Sequence, residues 1–124
     1  MAACGSRFDS PSGLAYVARM PPAAKKLGLL LSVGPEHPGF HHGVRLAETA
    51  LAEGTDVYLY CIDDAVCGVE DLRLQALKGR GLKLYACAYG AQRRNIPVSD
   101  KAVFAGLSVV SDLIAGTDRF VSFN

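Results

Sequence analysis

The sequence lacks a segment able to span a membrane or to direct secretion. A transmembrane helix needs about 20 consecutive apolar residues, and the longest apolar stretch, Leu27–Val33, has only the length of a strand. Near the N-terminus, Ser6, Arg7 and Asp9 interrupt the apolar run that a signal peptide requires. From these absences we expect neither a membrane span nor a signal peptide.

An excess of charge of one sign is also absent. The 13 Lys and Arg residues nearly balance the 12 Asp and Glu residues, which leaves a net charge of +1. Binding to nucleic acid or to an anionic membrane usually needs a basic surface, so neither partner is expected. The 4 cysteines need not form disulfides, because a domain of this size can bury a sufficient core without them. We expect reduced thiols and a cytoplasmic location.

Nucleotide-binding motifs are missing as well. Gly34 and Gly39 enclose four residues, as in a phosphate-binding loop, but Phe40 and His41 follow where such a loop needs Lys and Ser or Thr. The chain also has no Gly-x-Gly-x-x-Gly fingerprint of dinucleotide-binding domains. We therefore expect no nucleotide cofactor.

The spacing of potential metal ligands is unfavourable. There is no Cys-x-x-Cys pair, and His41 and His42 are adjacent, so they point in different directions on a helix. Together with His37 they are interpreted as the polar start of a surface helix. A metal site that combines these histidines with Cys67 or Cys87 is a weaker alternative, and we expect no resident metal.

Composition divides the chain at about residue 24. Residues 1–24 are rich in Gly, Ser, Pro and Ala and end in Pro21-Pro22, which predicts a flexible leader. Met20 leaves open whether translation begins there or at Met1. Residues 25–124 are expected to form one folded domain.

Within this domain, apolar runs alternate with segments of helical periodicity. Strands are predicted at residues 26–33, 56–62, 82–88 and 119–123. Helices are predicted at residues 41–53, 70–78 and 99–115, the last one with a break at Gly106 left open, and a loop with a short helical turn is predicted at 63–68. This alternation with short connections indicates a parallel sheet in a three-layer α/β/α sandwich.

The residues that follow the strands supply the candidate site. In parallel α/β sheets the carboxyl ends of the strands share one edge, where ligands bind. Cys87 lies near the end of the third predicted strand, and Arg93 and Arg94 follow it closely, so a reactive thiolate could be stabilised there. Cysteine also fills small gaps in protein cores. From position alone, a sulfur-carrying thiol and a packed thiol are about equally favoured.

Further polar residues are accessory candidates at this edge. Asp64 follows the second strand, where a helix cap is favoured over a Mg²⁺ ligand or an acid/base group. Cys67 is either a resolving thiol for Cys87 or a bystander, with the bystander favoured, and His41 is a weak acid/base candidate. We interpret Cys61 as a residue of the core. The tyrosines are expected to lie in the core or in an interface: Tyr58, Tyr60, Tyr85 and Tyr89.

An ordered set of loose motifs adds a family resemblance over residues 25–124. The motifs are Leu27–Val33, Arg45–Gly54 leading to Val57–Tyr60, Asp63–Val66, Leu84–Cys87 with Ala91–Ile96, and Ala115–Phe123. In this order they resemble the DsrE/DsrF-like family, which includes the sulfur-relay subunits of the Tus and Dsr systems.

The resemblance implies a mainly parallel five-stranded α/β/α fold that usually assembles as trimers or hexamers. Active members of the family carry sulfur as a persulfide on the cysteine that Cys87 matches, whereas members that lack this cysteine have structural roles. The leading hypothesis is therefore a sulfurtransferase-like carrier that receives sulfur from a donor protein and passes it to an acceptor protein. The alternative is a non-catalytic oligomer subunit or a small-ligand-binding domain of the same fold.

Overall fold

The computed structural model describes residues 25–124, which alternate between strands and helices. The strands are β1 (Lys26–Leu31), β2 (Asp56–Cys61), β3 (Lys83–Cys87), β4 (Val103–Ala105) and β5 (Arg119–Phe123). The α-helices are α1 (Pro38–Ala52), α2 (Leu72–Gly79), α3 (Ala88–Arg93) and α4 (Ser108–Gly116), and a 3₁₀ helix covers Asp63–Gly68. The predicted leader, residues 1–24, lies outside the described residues.

The five strands form one parallel sheet in the order β4-β3-β2-β1-β5. Tyr60 of β2 pairs with Tyr85 of β3, and Cys87 pairs with Ala105 of β4. Because all strands run in the same direction, the residues that follow them meet at one edge of the sheet. The predicted five-stranded parallel architecture is confirmed.

The sheet has a hydrophobic core on each face, because side chains alternate along each strand. Leu29, Leu59 and Cys61 belong to the core that α1 and α2 cover. The neighbouring Tyr60 and, on β3, Cys87 belong to the opposite core, which also contains residues of α3 and α4. These two cores account for the three layers of the predicted sandwich.

The helix starts follow local capping rules. The Nδ1 atom of His37 accepts a hydrogen bond of 2.9 Å from the Gly39 N–H, with Pro38 in the first turn, so α1 begins three residues earlier than predicted. Asp71 caps α2 in the same way by accepting from the Arg73 N–H at 2.9 Å. None of the helices in residues 25–124 is long and apolar enough to cross a membrane.

The prediction of one helix across residues 99–115 is wrong in its first half. Residues 103–105 form the edge strand β4, and the helix begins only at Ser108, after the break at Gly106. The side chain of Ser99 accepts a hydrogen bond from the Lys101 N–H at 3.2 Å, but this caps a turn rather than a helix. A strand of three residues has too little periodicity to be recognised, and pairing with β3 is what holds it extended.

Candidate functional site

Cys87 lies where β3 ends and α3 begins. It is the last residue of the strand and the N-cap of the helix, and its Sγ atom accepts a hydrogen bond from the Gly90 N–H at 3.3 Å. Only 4% of the residue is exposed to solvent. The thiol is therefore held in one place by the backbone and is protected from bulk solvent on most sides.

The exposed part of Cys87 faces a cavity of about 660 Å³, which we call the Cys87 cavity. Its walls come from the segments that follow β2, β3 and β4, as expected for the carboxyl edge of a parallel sheet. The lining residues are Ile62, Asp63, Cys87, Tyr89, Gly90, Arg93, Arg94, Gly106 and Leu107. The cavity is large enough for a small sulfur compound or for the tip of a partner's loop.

Arg94 reaches the cavity from the end of α3 and is fixed by an acidic partner. Its Nη2 atom lies 3.0 Å from Oδ1 of Asp64, and its Nη1 atom donates to the Gly90 carbonyl oxygen at 3.4 Å. The hydrogen bond to Asp64 raises the pKa of Arg94 above its ordinary value. The structure thus brings Asp64 and Arg94 together beside Cys87, and Asp64 acts on the cavity only through Arg94.

Arg93 carries the other positive charge at the cavity. Its Nη1 atom donates to the Tyr89 hydroxyl at 2.9 Å, and its guanidinium lies over the Tyr89 ring, 5.7 Å from the centroid. Within residues 25–124 it forms no salt bridge. Its charge is therefore available to an anion that enters the cavity.

Asp63 lines the same cavity and has an unusual backbone conformation. Its φ of 54° lies in the left-handed region, which costs about 1 kcal/mol for a residue with a Cβ but is tolerated by Asp. The turn it makes at the end of β2 directs the 3₁₀ helix, with Asp64, towards α3.

Tyr60 belongs to the same buried cluster as Cys87 and does not line the cavity. It is fully buried, and its hydroxyl donates a hydrogen bond of 3.0 Å to the carbonyl oxygen of Ala105. Burial raises the pKa of Tyr60, and the neighbouring Cys87 acts in the same direction. The sequence does not predict the hydrogen bond between Tyr60 and Ala105, because the period-two pattern shows which face of the sheet Tyr60 occupies but not which atom its hydroxyl reaches.

The remaining sequence candidates lie elsewhere. Nδ1 of His41 is 2.8 Å from Nη1 of Arg73, and His41 does not line the Cys87 cavity. Cys67 is an exposed residue of the 3₁₀ helix and is also absent from the lining. Cys61 is fully buried, and burial raises the pKa of its thiol to about 12, so it stays protonated.

Metal-ligating side chains are dispersed in the part of the chain that the structure describes. Over residues 25–124, no three His, Cys, Asp or Glu side chains gather closely enough to hold a metal ion. The imidazole of His37 is engaged as the cap of α1.

Comparisons with known proteins agree with this architecture. The crystal structure of the ychN protein from E. coli matches with a TM-score of 0.71 over 81% of this chain and 99% of that chain. The two sequences are 16% identical, so the likeness concerns the fold. No curated protein matches the chain in sequence. The DsrE/DsrF-like family matches residues 25–123, and the chain therefore belongs to the DsrE/DsrF-like family, as its motifs predict.

Proposed function

We propose that this protein transfers sulfur and carries it as a persulfide on Cys87. The observation that carries the proposal is the Cys87 side chain in the wall of a cavity that Arg93 and Arg94 also line. Membership of the DsrE/DsrF-like family supports a sulfur-relay role in general terms. The choice of the cysteine and of its neighbours rests on the geometry of the site.

The proposed step exchanges one sulfur–sulfur bond for another. The Cys87 thiolate attacks the outer sulfur of a donor persulfide, R–S–SH, and a new bond forms to Sγ while the donor's S–S bond breaks. The donor leaves as the thiolate R–S⁻, and Cys87 becomes Cys–S–SH, with no net oxidation or reduction. An acceptor thiolate then attacks the same outer sulfur and releases the Cys87 thiolate.

The surroundings of Cys87 suit such an intermediate. A persulfide needs a reachable sulfur, groups that stabilise negative charge, and protection from other thiols. The cavity gives access, the Gly90 N–H and the guanidinium groups of Arg93 and Arg94 favour negative charge, and the 4% exposure limits attack by bulk thiols. Asp64 contributes by holding Arg94. His41 and Cys67, which lie outside the cavity lining, have no role in the proposed step.

Intact-mass spectrometry after incubation with a persulfide donor tests the proposal. The parent protein should gain the mass of one sulfur atom, and Cys87→Ser should gain none. Cys67→Ser is the matched control, because it removes a nearby and more exposed thiol and should take up sulfur like the parent. Sulfur uptake by Cys87→Ser at the parent's rate would contradict the proposal and favour a non-catalytic or ligand-binding role.

We further propose that the protein works as a homo-oligomer in a reducing compartment such as the cytoplasm, where a free thiolate persists. Apolar side chains that remain more than half exposed support self-association: Tyr89 and Leu107 in the cavity lining, and Val103 on the edge strand. Light scattering coupled to gel filtration should give a trimer or a hexamer, and Val103→Lys on the edge strand should weaken it. A parent protein that elutes as a monomer would refute the assembly.

A further inference from the structure

The hydroxyl of Tyr60 occupies an unusual position for a group buried in a core. The side chain starts on β2, passes beneath β3 and reaches the Ala105 carbonyl of β4 at 3.0 Å. Ala105 is the register partner of Cys87, and Tyr60 and Cys87 belong to the same buried cluster. The Tyr60 hydroxyl thus bonds to the residue that pairs with Cys87, within the buried cluster that contains the Cys87 thiol.

We propose that Tyr60 is a positioning residue for Cys87. The Tyr60 hydroxyl donates to the Ala105 carbonyl oxygen when Cys87 is a neutral thiol, and to Sγ of Cys87 when Cys87 is a thiolate. This inference rests on the proposed function, because it describes how the fold stabilises the charged sulfur that the transfer requires.

The chemistry of the three groups supports this exchange. A phenol has one hydrogen and can also accept, so while its hydrogen points to Ala105 its oxygen can accept from the Cys87 S–H. A thiolate has no hydrogen to give and is a strong acceptor. Hydrogen bonds to charged groups are about twice as strong as neutral ones, so rotation of the hydroxyl towards the sulfur is then favoured.

The two sulfur atoms of a persulfide on Cys87 would have different neighbours. Arg93 and Arg94 line the cavity, where the outer sulfur of a persulfide would lie, and the N–H of Gly90, another lining residue, donates to Sγ. Tyr60 does not line the cavity and belongs to the buried cluster that contains Cys87. When the outer sulfur leaves, the negative charge stays on Sγ, within reach of the Tyr60 hydroxyl and the Gly90 N–H. Tyr60 therefore stabilises the leaving thiolate when sulfur passes to the acceptor.

The test is the pH profile of Cys87 alkylation by iodoacetamide, which reacts with the thiolate. Cys4→Ser and Cys67→Ser provide the background, so that the signal comes from Cys87. Tyr60→Phe should raise the pH of half-maximal rate by about one unit, which is a tenfold loss of thiolate at a given pH below the midpoint. The plateau rate should rise by no more than about threefold, because a more basic thiolate is a better nucleophile. Tyr85→Phe, a neighbour in the same cluster, is the control and should match the parent.

A purely structural tyrosine would lower the unfolding temperature of Tyr60→Phe without moving this profile, and that result would overturn the inference. If Tyr60→Phe does not fold, 3-fluorotyrosine at position 60 replaces it. Fluorine makes the hydroxyl a better donor, so the profile should move to lower pH, and an unmoved profile would again overturn the inference. Sulfur uptake by the parent is scored separately. An absence of uptake refutes the proposed function, while the profile still decides the role of Tyr60.

Discussion

Replacement of Gly68 by Ala offers a stringent test of the packing that positions the site. Gly68 is buried at the end of the 3₁₀ helix Asp63–Gly68, which supplies Asp63 to the cavity and Asp64 to Arg94. A Cβ added there would lie 2.6 Å from Cε2 and Cζ of Phe40 and 2.8 Å from Cγ of Pro35. Phe40 is fully buried, so its ring has no free space into which to move.

The expected cost follows from these contacts. Overpacking a well-filled core by one methyl group costs about 1–3 kcal/mol. For a domain of about 100 residues, each 1 kcal/mol lowers the unfolding temperature by about 4–8 °C. We therefore expect Gly68→Ala to unfold at least about 4 °C below the parent. Displacement of the 3₁₀ helix should also loosen the contact between Asp64 and Arg94 and slow sulfur uptake.

Thermal and urea unfolding, followed by circular dichroism, measure this effect. Gly79→Ala is the matched control, because a Cβ at this position in α2 meets nothing within 4 Å. Ala is favoured over Gly in helices by up to about 1 kcal/mol, so this variant should be as stable as the parent or slightly more stable. If Gly68→Ala were as stable as Gly79→Ala, the tight packing of the 3₁₀ helix against α1 would be refuted.

Two further predictions concern the charge at the cavity and the buried thiol. Arg93→Met should reduce sulfur uptake from an anionic low-mass persulfide several-fold but should leave uptake from a neutral one unchanged, because Arg93 has no acidic partner within residues 25–124. Mass spectrometry measures the uptake from each donor. Equal losses with both donors would argue against anion attraction. The pKa of Cys61 is raised from 9.0 to about 12, so its stabilising effect is complete below pH 9.0 and is lost as the pH rises towards 12. Urea unfolding of the parent should therefore show a steeper loss of stability across this window than that of Cys61→Ala, by about 1.4 kcal/mol per pH unit. Parallel pH profiles would show that the Cys61 thiol ionises as easily in the folded state as in the unfolded one.

The positions of the long strands were predictable because their apolar runs carry the signal of burial on both faces. Cys87 could be placed at the end of β3 for the same reason, since the run stops there. The edge strand β4 could not be predicted, because three residues adopt an extended form only through their pairing with β3. The helix α3 was also not assigned, since its six residues begin with Cys87 as a cap rather than with a usual capping residue.

The sequence by itself determined the parallel α/β architecture, the family, and a thiol at the carboxyl edge of the sheet. These features depend on local periodicity and on ordered motifs, which can be read along the chain. Only the tertiary structure decided that Asp64 holds Arg94, 30 residues away, and that the Tyr60 hydroxyl reaches Ala105, 45 residues away. Such contacts depend on strand order and side-chain direction after folding, so local sequence patterns do not predict them.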